Sequence, residues 1–565
     1  MGVRRAMEIV LAEANNRRKG PIFTFGPLIH NHQVLDLLAS KGVHSVEDLE
    51  GLQSGEIVIR AHGIPPQQRR AIRNTGLKMI DATCPKVARV QAIIRAHTRK
   101  GYSAVIVGEK DHAEVIGLMG YSEGPAHVIQ SVADVAELPS LDKVFVVAQT
   151  TQNQQTFQRV VKALEDRFSD VLVFHTICDA TQERQQEVRS FAGNVDAVVV
   201  VGGYHSGNTR RLAQVSREEG LPTFHIETEK ELDKEMLSSM EVVGVTAGAS
   251  TPNWMIKNVV REIESIRARG ESPLLRQIRQ ALKFLVLSNL LAALGAFSFA
   301  HAAAILSERS PDFIFPFLVS LYIFAMHIFN RFLDKGASAY NDPDRATFLI
   351  RHHRLLIISG IAAIATALAL SLFQGLATFI ALSGLSLLGI IYSVPLVPEN
   401  ARQHYTYSKI KDIPGSRGLS EALAWVAVIN ILPLLEIDRI GWAAVSTTSL
   451  VVFSMSYARA ILFNLFQAQG DLIVGSETLP ITLGEKKTLV LLKIILLATG
   501  AILVLCPVLG LVGPFSYTYL LPLSALCLCL MAYEKRWIYP GPDLEAMVEA
   551  VFIVAGLLAV MWQVF

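Results

Sequence analysis

The sequence predicts two unlike halves: an α/β half with mainly parallel sheets over residues 1–268, and an all-helical membrane half over 283–565, joined by a basic linker at 269–282. Three observations predict this. Short β-rich apolar runs alternate with helical patterns in the first half, and runs long enough to cross a bilayer follow one another in the second. The charged residues, 52 Lys and Arg with 50 Asp and Glu, lie for about two thirds before residue 280.

At 565 residues and 51% hydrophobic, with mean hydropathy +0.37, the chain is too long for one ordinary domain and too apolar to be wholly soluble. A net charge of +2 without an aromatic-basic patch argues against nucleic acid. Five cysteines do not make a disulfide framework, and Cys506, Cys527 and Cys529 fall in apolar runs, so the first half reads as cytosolic and reduced. Arg4-Arg5 has no apolar stretch after it, which argues against a signal peptide.

In chain order, strands are expected at Pro21–Phe25, Glu56–Arg60, Ala104–Gly108, Val144–Ala148, Val171–His175, Ala197–Val201 and Val242–Thr246. Several end in small polar clusters, at the carboxyl ends where open α/β sheets bind ligands. His30, His62, His112, Thr150, Thr151, Ser206, Asn208 and Ser250 are donors there, and glycines such as Gly207 let backbone N–H groups approach. Many donors around one space suit a diphosphate. Glu114 is the carboxylate among them, and a carboxylate beside an anion site has a raised pKa, as a proton donor needs.

Cys84 and Cys178 stand in matched settings, Asp81-Ala82-Thr83-Cys84-Pro85 and Thr176-Ile177-Cys178-Asp179-Ala180-Thr181, each followed by a helical pattern. A cysteine at a helix start is biased to thiolate and to metal binding. Two cysteines alone also fit inert buried thiols, and any one histidine fits a loop residue; recurrence at successive strand ends favours a site.

These motifs resemble the 4-hydroxy-3-methylbut-2-enyl diphosphate reductase family. The likeness runs from Met1 to about Ile266 through Gly-Val-Arg-Arg-Ala at 2–6, Gly-Pro-Leu-Ile-His-Asn at 26–31, Ala-His-Gly at 61–63, His-x-Glu-Val-x-Gly at 112–117, Gln-Thr-Thr at 149–151, Ser-Gly-Asn-Thr at 206–209, Val-Thr-Ala-Gly-Ala-Ser at 245–250 and the two cysteine segments. The resemblance implies three α/β lobes around a [4Fe–4S] cluster, each lobe giving one cysteine. Cys84 and Cys178 would be two ligands; His30, His62, His112, Thr151, Ser206, Gly207, Asn208 and Ser250 the diphosphate cradle; Glu114 and Thr150 the proton relay. It also implies an external ferredoxin- or flavodoxin-type electron donor. The family segment Phe-Cys-x-Gly-Val-x-Arg-Ala, set against Met1-Gly2-Val3, puts the third cysteine directly before Met1, so Met1 is expected to be internal to a longer product.

In the second half nine spans are expected, near 284–306, 313–332, 355–375, 377–397, 420–436, 441–465, 489–511, 516–533 and 546–564. Lys and Arg concentrate in the loops after the even-numbered spans and in the linker, which puts those loops and the first half on the cytoplasmic side of an inner membrane. The layout resembles the UbiA superfamily of intramembrane aromatic prenyltransferases, best at Gly470-Asp471 and Thr478-Leu479-Pro480. That likeness implies a Mg²⁺ and diphosphate site at Asn330, Asp334, Asp342, Lys409 and Asp471. It departs from the family's aspartate motifs at Arg331, Ser338 and Gln467, so fewer carboxylates remain for the metal. Two alternatives stand beside a tethered reductase: a cluster-deficient first half that scaffolds a membrane transferase, or a membrane half that serves as anchor or lipid carrier.

Overall fold

In the first half, short strands and helices alternate. The computed structural model describes residues 2–15, 20–29, 31–52, 54–266, 272–333, 340, 342–394, 410–437, 440–474 and 478–564. The chain divides into two units, Met1–Gly270 and Glu271–Phe565. His30, Asp334 and Lys409 of the expected sites lie outside the described residues.

Three parallel sheets make up the first unit. The first holds β1 (Ile22–Phe25), β2 (Val43–Val46), β3 (Glu56–Ile59) and β4 (Lys78–Asp81) in the order β2-β1-β3-β4. The second holds β5 (Ser103–Val107), β6 (Ala126–Ile129), β7 (Val144–Ala148) and β8 (Val171–Val173) as β6-β5-β7-β8, and the third β9 (Ala197–Val201), β10 (Thr223–Ile226) and β11 (Val243–Ala247) as β10-β9-β11. The all-parallel register and three separate sheets are what the expected three-lobed α/β architecture requires.

Four strands were not expected from the sequence: β2, β4, β6 and β10. Each is an edge strand with an open face, so its sequence, such as Lys78-Met79-Ile80-Asp81, lacks the continuous apolar run of a central strand. The central β5, β7 and β9 are buried along their whole length and read directly as apolar runs.

Ahead of the first strand stands α1 (Gly2–Asn15), and the helices that follow the strands position the site: α2 (His32–Ser40), α3 (Pro66–Asn74), α4 (Pro85–Thr98), α5 (Ala113–Met119), α6 (Gln154–Arg167), α7 (Asp179–Ser190), α8 (Gly207–Glu218), α9 (Lys234–Leu237) and α10 (Asn253–Ser265). Thr176 Oγ1 accepts from Ala148 N and donates to Ala148 O, both at 2.8 Å, so the segment leading to Cys178 is fixed to the end of β7.

In the second unit, eight helices among the described residues are long and apolar enough to span: Ile314–Leu333, His353–Gln374, Leu376–Ser393, Ser416–Glu436, Trp442–Ile473, Glu485–Val508, Pro514–Glu534 and Pro542–Val564. The run expected as one span at 284–306 is instead two helices, Arg276–Leu287 and Leu290–Leu306, bent by 75°. The bend is at Asn289, whose φ of 62° lies in the left-handed region; asparagine tolerates that region better than other non-glycine residues. Counted as one span, the bent pair brings the total to nine. The basic segment expected as a linker is helical from Pro273 to Leu287 and leaves Leu274 and Ile278 exposed.

Small residues bring helices together as in membrane bundles: a Cβ on Gly556 would lie 2.7 Å from Ser298 Cα, so Pro542–Val564 packs directly on the backbone of Leu290–Leu306. The span Ser416–Glu436 departs from α geometry, with a π segment at Ala427–Ile431 and a 3₁₀ turn at Leu432–Glu436.

Candidate active site

Cys84 and Cys178 are both N-caps, of α4 and α7, with nearly equal backbone angles (φ −60°, ψ 131° and φ −70°, ψ 131°), and neither side chain bonds to its own helix. Pro85 at the first helical position makes the start of α4 legible in sequence. Cys84 N donates to Ala61 O and Cys178 N to Thr150 O, each at 2.9 Å, so each sulfur is carried on a backbone fastened to a neighbouring strand end. Lys86 Nζ lies 2.8 Å from Asp179 Oδ2 and ties the first turns of α4 and α7 together. That pairing raises the Lys86 pKa and lowers that of Asp179.

At the start of α1, a Cβ on Gly2 would fall 2.5 Å from Cys84 Sγ, so the glycine lets the helix start lie against the sulfur. Arg5 Nη1 donates to Thr83 O at 3.1 Å and holds α1 to the same segment. Among the described residues, no group of three or more His, Cys, Asp or Glu is placed to hold a metal. The free thiols at two helix starts fit two ligands of a cluster, and no more than two.

Glu114, in the first turn of α5, is 1% exposed. Thr150 N donates to its Oε1 at 2.6 Å and Thr150 Oγ1 to its Oε2 at 2.8 Å. Burial pushes the carboxyl pKa up, and the two bonds from Thr150 offset only part of the rise.

His112 caps α5: its Nδ1 accepts from Glu114 N at 3.1 Å, which leaves Nε2 to carry the proton of the neutral ring. That Nε2 faces α8, where a Cβ on Gly207 would lie 3.3 Å away. His62 stands edge-on to His112, ring centroids 5.3 Å apart.

Ser206 caps α8, and its Oγ lies 3.4 Å from Ser250 Oγ. Asn208, in the first turn of α8, is buried, and neither its Nδ2 nor its Oδ1 has a partner among the described residues. A buried amide left open on both atoms costs stability unless something binds it. Together with the N-terminal N–H groups of α8 it makes an anion cradle.

Gln149 was not singled out on its own by sequence reasoning. It is buried, its Oε1 accepts from Glu109 N at 3.0 Å and its Nε2 donates to Thr151 Oγ1 at 3.1 Å, so it fixes the turn between β7 and Thr150. Its place in Gln-Thr-Thr was the available signal.

In the membrane half the expected residues have local roles. Asn330 Oδ1 accepts from Ser393 Oγ at 2.9 Å. Asp342 caps the helix Pro343–Arg351 through Arg345 N and pairs with Arg345 Nε, both at 3.0 Å. Asp471 is buried, 3.7 Å from Arg417 Nη1. The sequence did not reveal the buried Arg459, which binds Glu549 and Glu421 and lies over the Trp425 and Phe463 rings at 5.2 and 4.6 Å.

Residues 1–264 match the family described as LytB protein, and residues 289–556 the UbiA prenyltransferase family. The 4-hydroxy-3-methylbut-2-enyl diphosphate reductase of Geobacter sulfurreducens is 44% identical over 263 residues, which are 46% of this chain and 93% of the relative. A solved structure of (E)-4-hydroxy-3-methyl-but-2-enyl diphosphate reductase is 42% identical, with 47% of this chain and 95% of that one covered and a TM-score of 0.38. A UbiA homolog from Archaeoglobus fulgidus, solved with GPP and Mg²⁺, is 15% identical over 49% of this chain and 99% of its own, with a TM-score of 0.37. Through its first 264 residues, fused to a UbiA-type membrane domain, the chain belongs to the LytB family of 4-hydroxy-3-methylbut-2-enyl diphosphate reductases.

Proposed function

We propose that the first half reduces (E)-4-hydroxy-3-methylbut-2-enyl diphosphate to isopentenyl and dimethylallyl diphosphate, the terminal step of the non-mevalonate route. The substrate gains two electrons and two protons and loses its hydroxyl oxygen as water. The observation that carries this reading is the buried Glu114–Thr150 pair after β5 and β7, with His112 beside it facing the open anion cradle at the start of α8.

In this reading Cys84 and Cys178 would be two of the thiolate ligands of a [4Fe–4S] cluster. When bound, such a cluster supplies the electrons, received singly from a ferredoxin- or flavodoxin-type donor. The diphosphate lies among His62, His112, Ser206, Asn208 and Ser250, where charge-assisted bonds hold it, and the sequence motifs add His30, Thr151 and Gly207 to that set.

Glu114, whose carboxyl pKa burial raises, gives its proton to Thr150 Oγ1, which passes its own on to the leaving oxygen. The 2.8 Å contact is short enough for this and the threonine hydroxyl both donates and accepts. The loop charges support a cytoplasmic first half on an inner-membrane domain.

The membrane half is read as a prenyl diphosphate domain, supported by the match of residues 289–556 and by the buried Asp471 at the end of a 33-residue helix. Asp471 and Asn330 would hold Mg²⁺, Asp334 and Lys409 are added to them on the sequence alone, and Asp342 serves as a helix cap. Complementation tests the main reading: the full chain restores growth of bacteria depleted of their own reductase, and Cys84→Ser does not. Failure of the wild-type chain, expressed and iron-loaded, would refute it.

A further inference from the structure

The helix Pro273–Leu287 takes no part in the chemistry proposed for either half. By helical spacing Leu274, Ile278, Ala281, Leu282 and Leu285 share one stripe, and Arg276, Arg279 and Lys283 share the opposite one. No Asp or Glu occurs from position 272 to 307, so the charge on this helix is all positive.

Its two ends differ. Toward the carboxyl end it is docked on the membrane half: Lys283 Nζ lies 2.8 Å from Asp344 Oδ2, the Phe284 ring stands edge-on to that of Phe348 with centroids 5.7 Å apart, and Val286 is buried with Leu291 and Ala546. Toward the amino end the apolar stripe stays open, with Leu274 64% and Ile278 56% exposed. Arg276 and Arg279 are exposed too, and neither has an acidic partner among the described residues.

Docking at one end fixes the direction of the helix. Arg276–Leu287 is bent by 75° from Leu290–Leu306, a helix of 17 residues at the short end of the range that crosses a bilayer. With Leu290–Leu306 spanning, the helix before the bend lies close to the membrane plane, at the level of the headgroups. A helix in that place with an apolar stripe on one side and cations on the other sinks the stripe into the acyl boundary and leaves the cations among phosphates. Water would leave the leucines exposed; an anionic bilayer surface satisfies both stripes at once.

We infer that Pro273–Leu287 is an interfacial helix that binds anionic phospholipid, with Leu274, Ile278 and Leu282 in the acyl boundary and Arg276 and Arg279 on the headgroup phosphates. Lys283, paired with Asp344, holds the helix to the bundle instead. The inference uses no prenyl diphosphate chemistry and is tested apart from the function proposed for this half.

The test uses the full chain with Ile278→p-benzoylphenylalanine, reconstituted in vesicles of equal phosphatidylglycerol and phosphatidylcholine and irradiated, with the adducts identified by mass. Lipid adducts are expected, with phosphatidylglycerol in excess over phosphatidylcholine by about threefold or more. In the same chain carrying Arg276→Gln and Arg279→Gln, lipid adducts remain and the ratio falls to about one. Both changes leave Lys283 and Phe284 in place, so the helix stays docked.

Adducts to peptide, within this chain or to a second copy, overturn the inference, and so does the absence of adducts, which marks a helix in water. Equal amounts of the two lipids on the chain with both arginines, or an excess that survives their replacement, overturn it as well.

Discussion

Thr150 holds both carboxylate oxygens of Glu114, one through its backbone N–H at 2.6 Å and the other through its hydroxyl at 2.8 Å. Backbone and side chain of one residue thus aim a buried acid. Glu114→Gln keeps the shape but removes the proton, so turnover falls by about 10²-fold or more with little change in KM. Steady-state kinetics at equal iron content checks this, and unchanged turnover would remove Glu114 from the reaction.

The Glu114 pKa is raised by burial and lowered in part by the Thr150 hydroxyl. Glu114 is active as the acid, so kcat/KM falls as pH rises through that raised value. Thr150→Val removes a bond that favours the charged form, and the falling limb moves to higher pH. A limb that stays in place or moves down would contradict the pairing. The same sign governs stability: the neutral buried carboxyl contributes fully below the ordinary carboxylate range, and that contribution is lost as pH rises through the raised pKa.

Asn208 keeps a buried amide open on both sides. Asn208→Leu removes unsatisfied polar atoms, so the protein is as stable as wild type or more so, while its affinity for the diphosphate substrate drops by about tenfold or more. Thermal unfolding and substrate titration together read this. Lower stability with unchanged affinity would make Asn208 a structural residue.

Much of this was legible in the sequence because it follows from local chemistry. The apolar runs of β5, β7 and β9, Pro85 behind Cys84 and the clusters at strand ends each announce themselves within a few residues. Edge strands such as β4 did not, because an open face admits lysine and aspartate. Nor did the bend at Asn289, since hydropathy is blind to one left-handed residue, or the pairing of Arg459 with Glu421 and Glu549, 38 and 90 residues away. The orientation of the Glu114 carboxyl needed the fold: position 150 is 36 residues from 114.

Arg459 is 2% exposed and neutralises Glu549, itself 5% exposed. Arg459→Met leaves buried carboxylates uncompensated and destabilises the membrane half by about 3–5 kcal/mol. Arg459→Met combined with Glu549→Leu recovers part of the loss. Equal stability of the single variant and wild type in detergent unfolding would show the cluster to be energetically neutral.

Asp471 belongs to the second compact unit and Glu114 to the first. Asp471→Asn therefore abolishes Mg²⁺-dependent transfer of a labelled prenyl group into lipid and leaves reduction of the hydroxymethylbutenyl substrate unchanged. Loss of both activities would mean that the halves do not work independently.

The most direct test of the central claim is turnover of the full chain, handled without oxygen, on (E)-4-hydroxy-3-methylbut-2-enyl diphosphate with a one-electron donor and with iron measured on the same sample. The account predicts isopentenyl and dimethylallyl diphosphate as products, lost in Cys84→Ser and Cys178→Ser. Iron-loaded wild-type protein that leaves the substrate unreduced would contradict it.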